Sequence, residues 1–218
     1  MESNNLIINE NEDALIIVDV QNDFCEGGSL AVNEARTIVP KINEFARKFN
    51  WKVIALTTDW HPADHISFQA NNPGTKLFEN VKIEQTGLYQ TMWPVHCIQG
   101  TKGSEFHPEL KIEDSWPIIR KGTVKMYESY SGFGCEQENT GLTELLNKNG
   151  IKRVYCVGLA YDYCVGSTAV DARENGFEAV MVTDLTKGID QSTMDAMKVR
   201  FGEKGVVEVD SSQIQKAK

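Results

Sequence analysis

The fold of this chain is decided by residues 14–20, ALIIVDV, an apolar run interrupted only by Asp19. A short run with so little polar alternation is typical of a strand buried on both faces, as in a parallel sheet. Similar short runs recur along the chain, at residues 51–59 (WKVIALTTD), 117–122 (PIIRKG), 153–158 (RVYCVG), 179–184 (AVMVTD) and 206–209 (VVEV). The sequence therefore predicts six strands of one parallel sheet.

Apolar residues with helical spacing separate most of these strands. They are Ile38, Val39, Ile42, Phe45, Ala46 and Phe49 in the first helix, Leu142, Leu145 and Leu146 in the next, and Val165, Thr168, Ala169 and Ala172 in a third. Asp162 and Ser192 are candidate N-caps, and Gly150 and Gly176 are candidate C-terminal stops. Strands that alternate with helices predict an α/β protein with three layers, α/β/α, and a roughly six-stranded parallel sheet.

Length and charge narrow the class of protein. The 218 residues suit a flexible arm over residues 1–13 and a single domain over residues 14–218. A net charge of −9 argues against nucleic acid or an anionic membrane as partner, because both would repel the chain. Five cysteines without a CxxC pair, and an N-terminus without a signal peptide, predict a cytoplasmic protein without a disulfide framework.

Three side chains suited to nucleophilic catalysis lie at the carboxyl ends of predicted strands, where parallel sheets bind ligands. Desolvation should raise the pKa of Asp19 toward that of a useful base, although a loop hydrogen bond is an equal alternative. Lys121 could lower the pKa of a neighbouring acid there, whereas most lysines are solvated. Cys164 stands near a helix start, where the dipole and free N–H groups favour a thiolate; a buried structural cysteine is the alternative.

A second cluster has the composition of a metal site. Asp59, His61 and His65 follow the second strand within TTDWHPADHISF, and His96 lies farther along in MWPVHC. Two imidazoles and a carboxylate this close together are ordinary ligands of zinc or a similar divalent ion. A chance cluster of surface histidines is the alternative.

Five segments together resemble the nicotinamidase/pyrazinamidase family of the isochorismatase-like hydrolase superfamily. They occur in the family's order, from about residue 14 to residue 190: VDVQNDFCEGGSL, TTDWHPADHISF, WPVHCIQGTKGSEFHPEL, RKG followed by YSGF, and GLAYDYCVGSTAVDA. The DWHPxxH and WPVHC blocks favour nicotinamidases over the metal-free members of the superfamily. The resemblance implies the isochorismatase-like α/β/α fold.

The resemblance also implies a role for each matching position. The triad is Asp19, Lys121 and Cys164, the oxyanion-hole N–H groups are those of Ala160 and Cys164, the pocket residues are Phe24, Trp93 and Tyr130, and the metal ligands are Asp59, His61 and His96. The bond between Leu159 and Ala160 matches a non-proline cis peptide, and His65 matches a ligand of some members only. Tyr161 and Gly166 depart from the family's usual residues beside the nucleophile, which leaves substrate preference among aromatic amides open.

The activity implied by the resemblance is that of a metal-dependent cysteine amidohydrolase. Such an enzyme converts nicotinamide to nicotinic acid and ammonia through a thioester and feeds NAD salvage, using zinc or, alternatively, iron or manganese. A sister amidase acting on another small amide, and a non-catalytic zinc-binding protein on the same scaffold, are the rival interpretations. The sequence leaves homo-oligomerisation open.

Overall fold

The computed structural model describes residues 6–216, in which helices cover both faces of a six-stranded parallel sheet. The strands are β1 (Leu6–Ile8), β2 (Asp13–Val18), β3 (Val53–Asp59), β4 (Asn80–Lys82), β5 (Tyr89–Thr91), β6 (Ile118–Lys121), β7 (Gly134–Cys135), β8 (Glu138–Asn139), β9 (Arg153–Leu159), β10 (Glu178–Lys187), β11 (Val207–Val209) and β12 (Ile214–Lys216). The helices are α1 (Val39–Lys48), α2 (Leu142–Lys148), α3 (Gly166–Glu174) and α4 (Gln191–Lys204). The predicted three-layer α/β/α fold is confirmed.

Side chains of the central strands alternate between two apolar cores. In β2, Leu15 and Ile17 pack on the side that α1 covers, and Ala14, Ile16 and Val18 pack on the side of α2, α3 and α4. A strand that is buried on both faces needs apolar residues at every position, which explains the unbroken run in the sequence.

The strand order places the reversal of the sheet between β2 and β9. The order is β11–β10–β9–β2–β3–β6, and every neighbouring pair is parallel. From β2 the chain builds outward through β3 and β6, and it later returns to build β9, β10 and β11 on the other side. Loops that diverge at such a reversal leave a crevice for ligands. Asp19 directly follows β2, and the segment that carries Cys164 follows β9.

Two predicted helix caps are wrong. Asp162 lies inside a π-helical turn, Tyr161–Val165, that precedes α3, so it is not at a helix start. Its carboxylate instead accepts hydrogen bonds from the backbone N–H groups of Ile189 and Asp190. Asp190, not Ser192, caps α4, and the Ser192 N–H donates to its carboxylate at 2.8 Å.

The N-terminal segment differs from the predicted arm. Residues 1–5 lie outside the described residues, but Leu6–Ile8 form β1, which pairs in parallel with β12. The prediction of a flexible arm is therefore wrong for this part, because Ile8 is buried in the core. Arg153 of β9 also donates to the Ile7 carbonyl oxygen at 3.0 Å.

The long segment between β3 and β6 has little regular structure, as its sequence predicts. It contains the antiparallel pair β4–β5 and two 3₁₀ turns, and it carries His61, His65 and His96. Within residues 6–216, no helix combines the length and the apolar character needed to cross a membrane.

Replacing Gly158 of β9 should cause a large loss of stability. Its φ is +114°, and a Cβ there would overlap the carbonyl oxygen of Val18 in the neighbouring strand β2. Because both backbones belong to the centre of the sheet, we expect Gly158→Ala to lower the free energy of unfolding by at least about 3 kcal/mol. Urea unfolding measures the change.

Gly202 of α4 provides the matched control for this substitution. A Cβ at Gly202 has nothing within 4 Å, so Gly202→Ala should stabilise the helix by about 0.5–1 kcal/mol. A Gly158→Ala protein as stable as the wild type would contradict the close approach of β2 and β9.

Candidate active site

Lys121 is the centre of a buried cluster at the carboxyl ends of the strands. Its Nζ lies 2.9 Å from Asp19 Oδ2 and 3.3 Å from Cys164 Sγ. It also donates hydrogen bonds to Asp59 Oδ1 and to the carbonyl oxygen of Ser129. Burial acts to lower the pKa of Lys121, but Asp19 and Asp59 outweigh it and hold that pKa well above its ordinary value. Asp19 and Cys164, the other two residues of the expected triad, thus both contact the charged Lys121.

Asp19 is placed by an unusual backbone conformation and two polar contacts. Its φ of +47° is left-handed, a conformation that costs a non-glycine residue about 1–3 kcal/mol. Thr57 Oγ1 donates to Oδ1 at 2.6 Å, whereas Oδ2 faces Lys121 and has no aligned hydrogen-bond donor among the described residues. Burial raises the pKa of Asp19 to about 6 against the lowering effect of Lys121. A carboxylate in this state can accept a proton near neutral pH.

Cys164 is buried in the π-helical turn between β9 and α3. Burial raises the pKa of its thiol well above the ordinary value, and the positive charge of Lys121 only partly offsets this. Desolvation thus opposes the thiolate that the helix start is expected to favour. The thiol needs a base, and Asp19, Asp59 and Cys164 each offer an atom within 4.8 Å of the other two.

Ala160 immediately precedes the turn that carries Cys164. The peptide bond between Leu159 and Ala160 is cis, as the resemblance implies. The Ala160 carbonyl oxygen accepts the N–H groups of Tyr163 at 3.1 Å and Val165 at 3.0 Å, which closes the turn. Ala160 and Cys164 both line the same cleft. Their role as an oxyanion hole stays a prediction.

Asp59 links this cluster to a candidate metal site. While Oδ1 faces Lys121, Oδ2 lies 3.5 Å from His61 Nε2 and 3.8 Å from His96 Nε2. All three residues are at most 4% exposed. Each offers a ligand atom within 4.8 Å of the other two.

The hydrogen bonds of the two histidines suit a cation at this point. His61 Nδ1 lies 2.8 Å from the Gly122 carbonyl oxygen, and His96 Nδ1 lies 2.7 Å from that of Pro94. A carbonyl can only accept, so each Nδ1 carries a proton, and each Nε2 is left for a metal ion. His61 Nε2 is a buried atom without a hydrogen-bond partner among the described residues. The residues therefore fit a divalent cation.

The pKa values of the two histidines are shifted in opposite directions. Burial acts to lower the pKa of His61, but Glu128 and Asp59 outweigh it and raise that pKa to about 9. Burial, reinforced by His61, lowers the pKa of His96 to about 4. A cation bound here would displace the proton from His61, since metal binding requires neutral imidazole.

The predicted pocket residues surround a narrow cleft above Cys164. Phe24, Trp93 and Tyr130 line it, and Asp59 and His96 reach it from the metal site. Trp93 Nε1 donates to the hydroxyl of Tyr130 at 2.9 Å, which fixes the two rings relative to each other. The cleft can receive a small, flat and largely apolar molecule.

Comparison with known proteins identifies the family of this chain. The profile of the isochorismatase domain matches residues 13–212. The chain belongs to this family. A nicotinamidase of Acinetobacter baylyi is 42% identical over 184 residues, which are 84% of each protein.

Solved structures place the chain in the nicotinamidase/pyrazinamidase group of the isochorismatase family. PnC1 from L. infantum, in complex with nicotinate, has a TM-score of 0.86 and 34% identity and covers 97% of this chain and 99% of its own. The pyrazinamidase of Pyrococcus horikoshii, in complex with zinc, has a TM-score of 0.76 and 39% identity and covers 91% of this chain and 99% of its own.

The structure of this family member adds three residues that the sequence reasoning missed. Glu128 and Tyr163 line the cleft. Gln21 lies behind it, where its side-chain amide donates to the Asp59 carbonyl oxygen at 2.9 Å and accepts from the Asp59 N–H at 2.8 Å. Gln21 and Tyr163 lie within the quoted motifs, beside Asp19 and Cys164. Their chemistry alone, however, does not say which neighbour they contact.

Three other residues beside the site do not line the cleft. His65 is buried, with Nδ1 2.8 Å from Ser67 Oγ and Nε2 3.2 Å from the Tyr127 carbonyl oxygen. Both of its nitrogens are thus engaged by the protein. Tyr161 points away and donates to Glu208 at 2.6 Å, and a Cβ at Gly166 would overlap the Tyr161 carbonyl oxygen. Backbone packing therefore demands glycine at position 166.

Proposed function

We propose that this enzyme hydrolyses nicotinamide to nicotinic acid and ammonia, with Cys164 as its nucleophile. The observation that carries the proposal is the contact of Lys121 with both Asp19 and Cys164 at the base of the aromatic cleft. The curated relative named nicotinamidase and the neighbour solved with nicotinate support this choice of amide.

The first half of the reaction forms a thioester. Asp19 takes the proton of the Cys164 thiol, and the sulfur attacks the carboxamide carbon of the substrate. The N–H groups of Ala160 and Cys164 donate to the oxygen that becomes negative. The carbon–nitrogen bond then breaks, and Asp19 returns its proton to the leaving nitrogen, which departs as ammonia. Lys121 holds one positive charge among the carboxylates throughout.

The second half releases the acid. Asp19 takes a proton from a water molecule while the oxygen of that water attacks the thioester carbon. The carbon–sulfur bond then breaks. The proton on Asp19 then returns to the sulfur of Cys164, which restores the resting site. The nicotinic acid so released would feed NAD salvage, a part of the proposal that rests on the family resemblance.

The proposal includes a divalent cation held by Asp59, His61 and His96. Zinc is the first choice, with iron and manganese as alternatives, because nitrogen and carboxylate ligands suit all three. The zinc complex of the Pyrococcus horikoshii pyrazinamidase supports this choice. When bound, the cation would coordinate the pyridine nitrogen and orient the ring over Cys164.

Ammonia release from nicotinamide, measured with the purified protein, tests the proposed function. We expect steady release that a chelator lowers at least about 10-fold and that added Zn²⁺ restores, because the ring loses its orientation without the cation. Metal content should fall in His96→Ala and persist in His107→Ala, the matched change at a buried histidine outside the ligand set.

Two other outcomes would overturn parts of this proposal. A folded, metal-loaded protein that releases no ammonia from nicotinamide, but does so from another small amide, would be a sister amidase. Full activity after complete removal of metal would refute the role of the cation while leaving the cysteine chemistry in place.

A further inference from the structure

Glu138 is a buried carboxylate outside the cleft that the proposed chemistry does not use. It lies in β8 and is 6% exposed. Oε2 accepts the backbone N–H of Gly122 at 2.7 Å, and Oε1 accepts the N–H of Thr123 at 2.7 Å and its hydroxyl at 2.5 Å. Hydrogen bonds to an ionised carboxylate are stronger than neutral ones, so this turn is held firmly.

The peptide unit between Gly122 and Thr123 connects Glu138 to His61. The N–H of this unit belongs to Thr123 and donates to Glu138, while its carbonyl oxygen belongs to Gly122 and lies 2.8 Å from His61 Nδ1. A carboxylate at the N–H end polarises the amide and makes its oxygen a better acceptor. The result is a chain of hydrogen bonds from carboxylate to peptide to imidazole.

The conformation of Gly122 directs this peptide at the ring. Its φ is +64°, in the left-handed region that favours glycine. A Cβ at this position would overlap the Cε1 atom of His61. The backbone at Gly122, directly after Lys121, therefore lies too close to the imidazole of His61 to leave room for a side chain.

We propose that Glu138 is a positioning residue for the metal site, acting through the Gly122–Thr123 peptide. It holds the Nδ1–H of His61 on the Gly122 carbonyl oxygen, so that Nε2 faces the space between Asp59 and His96 once a cation displaces its proton. Glu138 touches neither substrate nor cation. The inference rests on the proposed metal site and names the buried carboxylate that orients one of its ligands.

Zinc affinity tests this role without reference to activity. Metal-free protein competes with a chromophoric chelator for Zn²⁺, and we expect Glu138→Gln to weaken binding by about 10- to 100-fold, as loss of such outer partners does elsewhere. Glu136→Gln is the matched control, since it makes the same change at an exposed position of the same hairpin. It should bind Zn²⁺ as the wild type does.

A second measurement separates positioning from general packing. In protein labelled with ¹⁵N-histidine, the Hδ1 proton of His61 reports its hydrogen bond to Gly122. Its signal should move upfield in Glu138→Gln, because a less polarised carbonyl accepts more weakly. If Glu138→Gln does not fold, Glu138→Asp takes its place, since it keeps the charge but is too short to reach both N–H groups.

Wild-type zinc affinity and an unshifted His61 signal in a folded Glu138 variant would overturn this inference alone. Failure of the wild-type protein to bind Zn²⁺ would overturn the proposed metal site and this inference with it.

Discussion

Cys164→Ala should lower the rate of ammonia release from nicotinamide by about 10⁴-fold or more, with the fold intact. The proposed route forms its covalent bond at Sγ, and an alanine offers no nucleophile, so only binding and oxyanion contacts remain. The sulfur lies 3.3 Å from Lys121 Nζ, and its removal leaves that ammonium paired with two carboxylates. The turnover number in a coupled ammonia assay measures the effect.

Two further cysteine variants make this prediction specific. Cys164→Ser should be nearly as inactive, because Asp19 cannot remove the proton of a buried hydroxyl near neutral pH. Cys135→Ala, at a partly exposed thiol far along the chain, should keep wild-type turnover. If Cys164→Ala kept wild-type turnover, the thioester route would be wrong.

Lys121→Met should abolish activity and also destabilise the fold by about 3–5 kcal/mol. The ammonium is the cation that lies between Asp19 and Asp59, which are both buried. Methionine fills much the same volume, but it leaves Asp19 buried without its counter-charge and Asp59 with His61 alone, and breaking a buried pair costs about this much. Urea unfolding and the ammonia assay measure the two effects.

Lys125 offers a matched control four residues along the same segment. Its Nζ lies 2.7 Å from Asp64 Oδ2, but both side chains are more than half exposed. Lys125→Met should change the free energy of unfolding by no more than about 1 kcal/mol, since exposed pairs contribute little.

The double variant Lys121→Met with Asp19→Asn should recover part of the lost stability, because one of the stranded charges is removed. Equal destabilisation by Lys121→Met and Lys125→Met would refute the electrostatic description of the cluster.

Much of the fold could be predicted because its signals are local. A strand buried on both faces must be apolar throughout, as in β2, and a helix on such a sheet must repeat its apolar residues, as Val39, Ile42 and Ala46 do in α1. The same argument places functional groups at strand ends, which is where Asp19 and Lys121 lie. These features follow from the sequence by itself.

The detail of the site depends on neighbours that are distant in sequence. The cap at Asp162 was predicted wrongly because the loop before α4, not the local turn, supplies the partners of its carboxylate. The burial of Cys164, which raises the pKa of its thiol, is also set by distant neighbours, whereas the helix start is visible in the sequence. Leu6–Ile8 form a strand only because β12, at the other end of the chain, pairs with them.

The sequence by itself determined the layered α/β fold, because periodicity is a local property, and the resemblance of its motifs to a known family supplied the candidate triad and the candidate ligands. Only the tertiary structure decided how their charges are shared: Asp59 faces Lys121 with one oxygen and the two histidines with the other. It alone joined Glu138 to His61 through a peptide of a different segment. Desolvation and hydrogen bonding depend on every group packed nearby, and packing brings together residues that no local pattern connects.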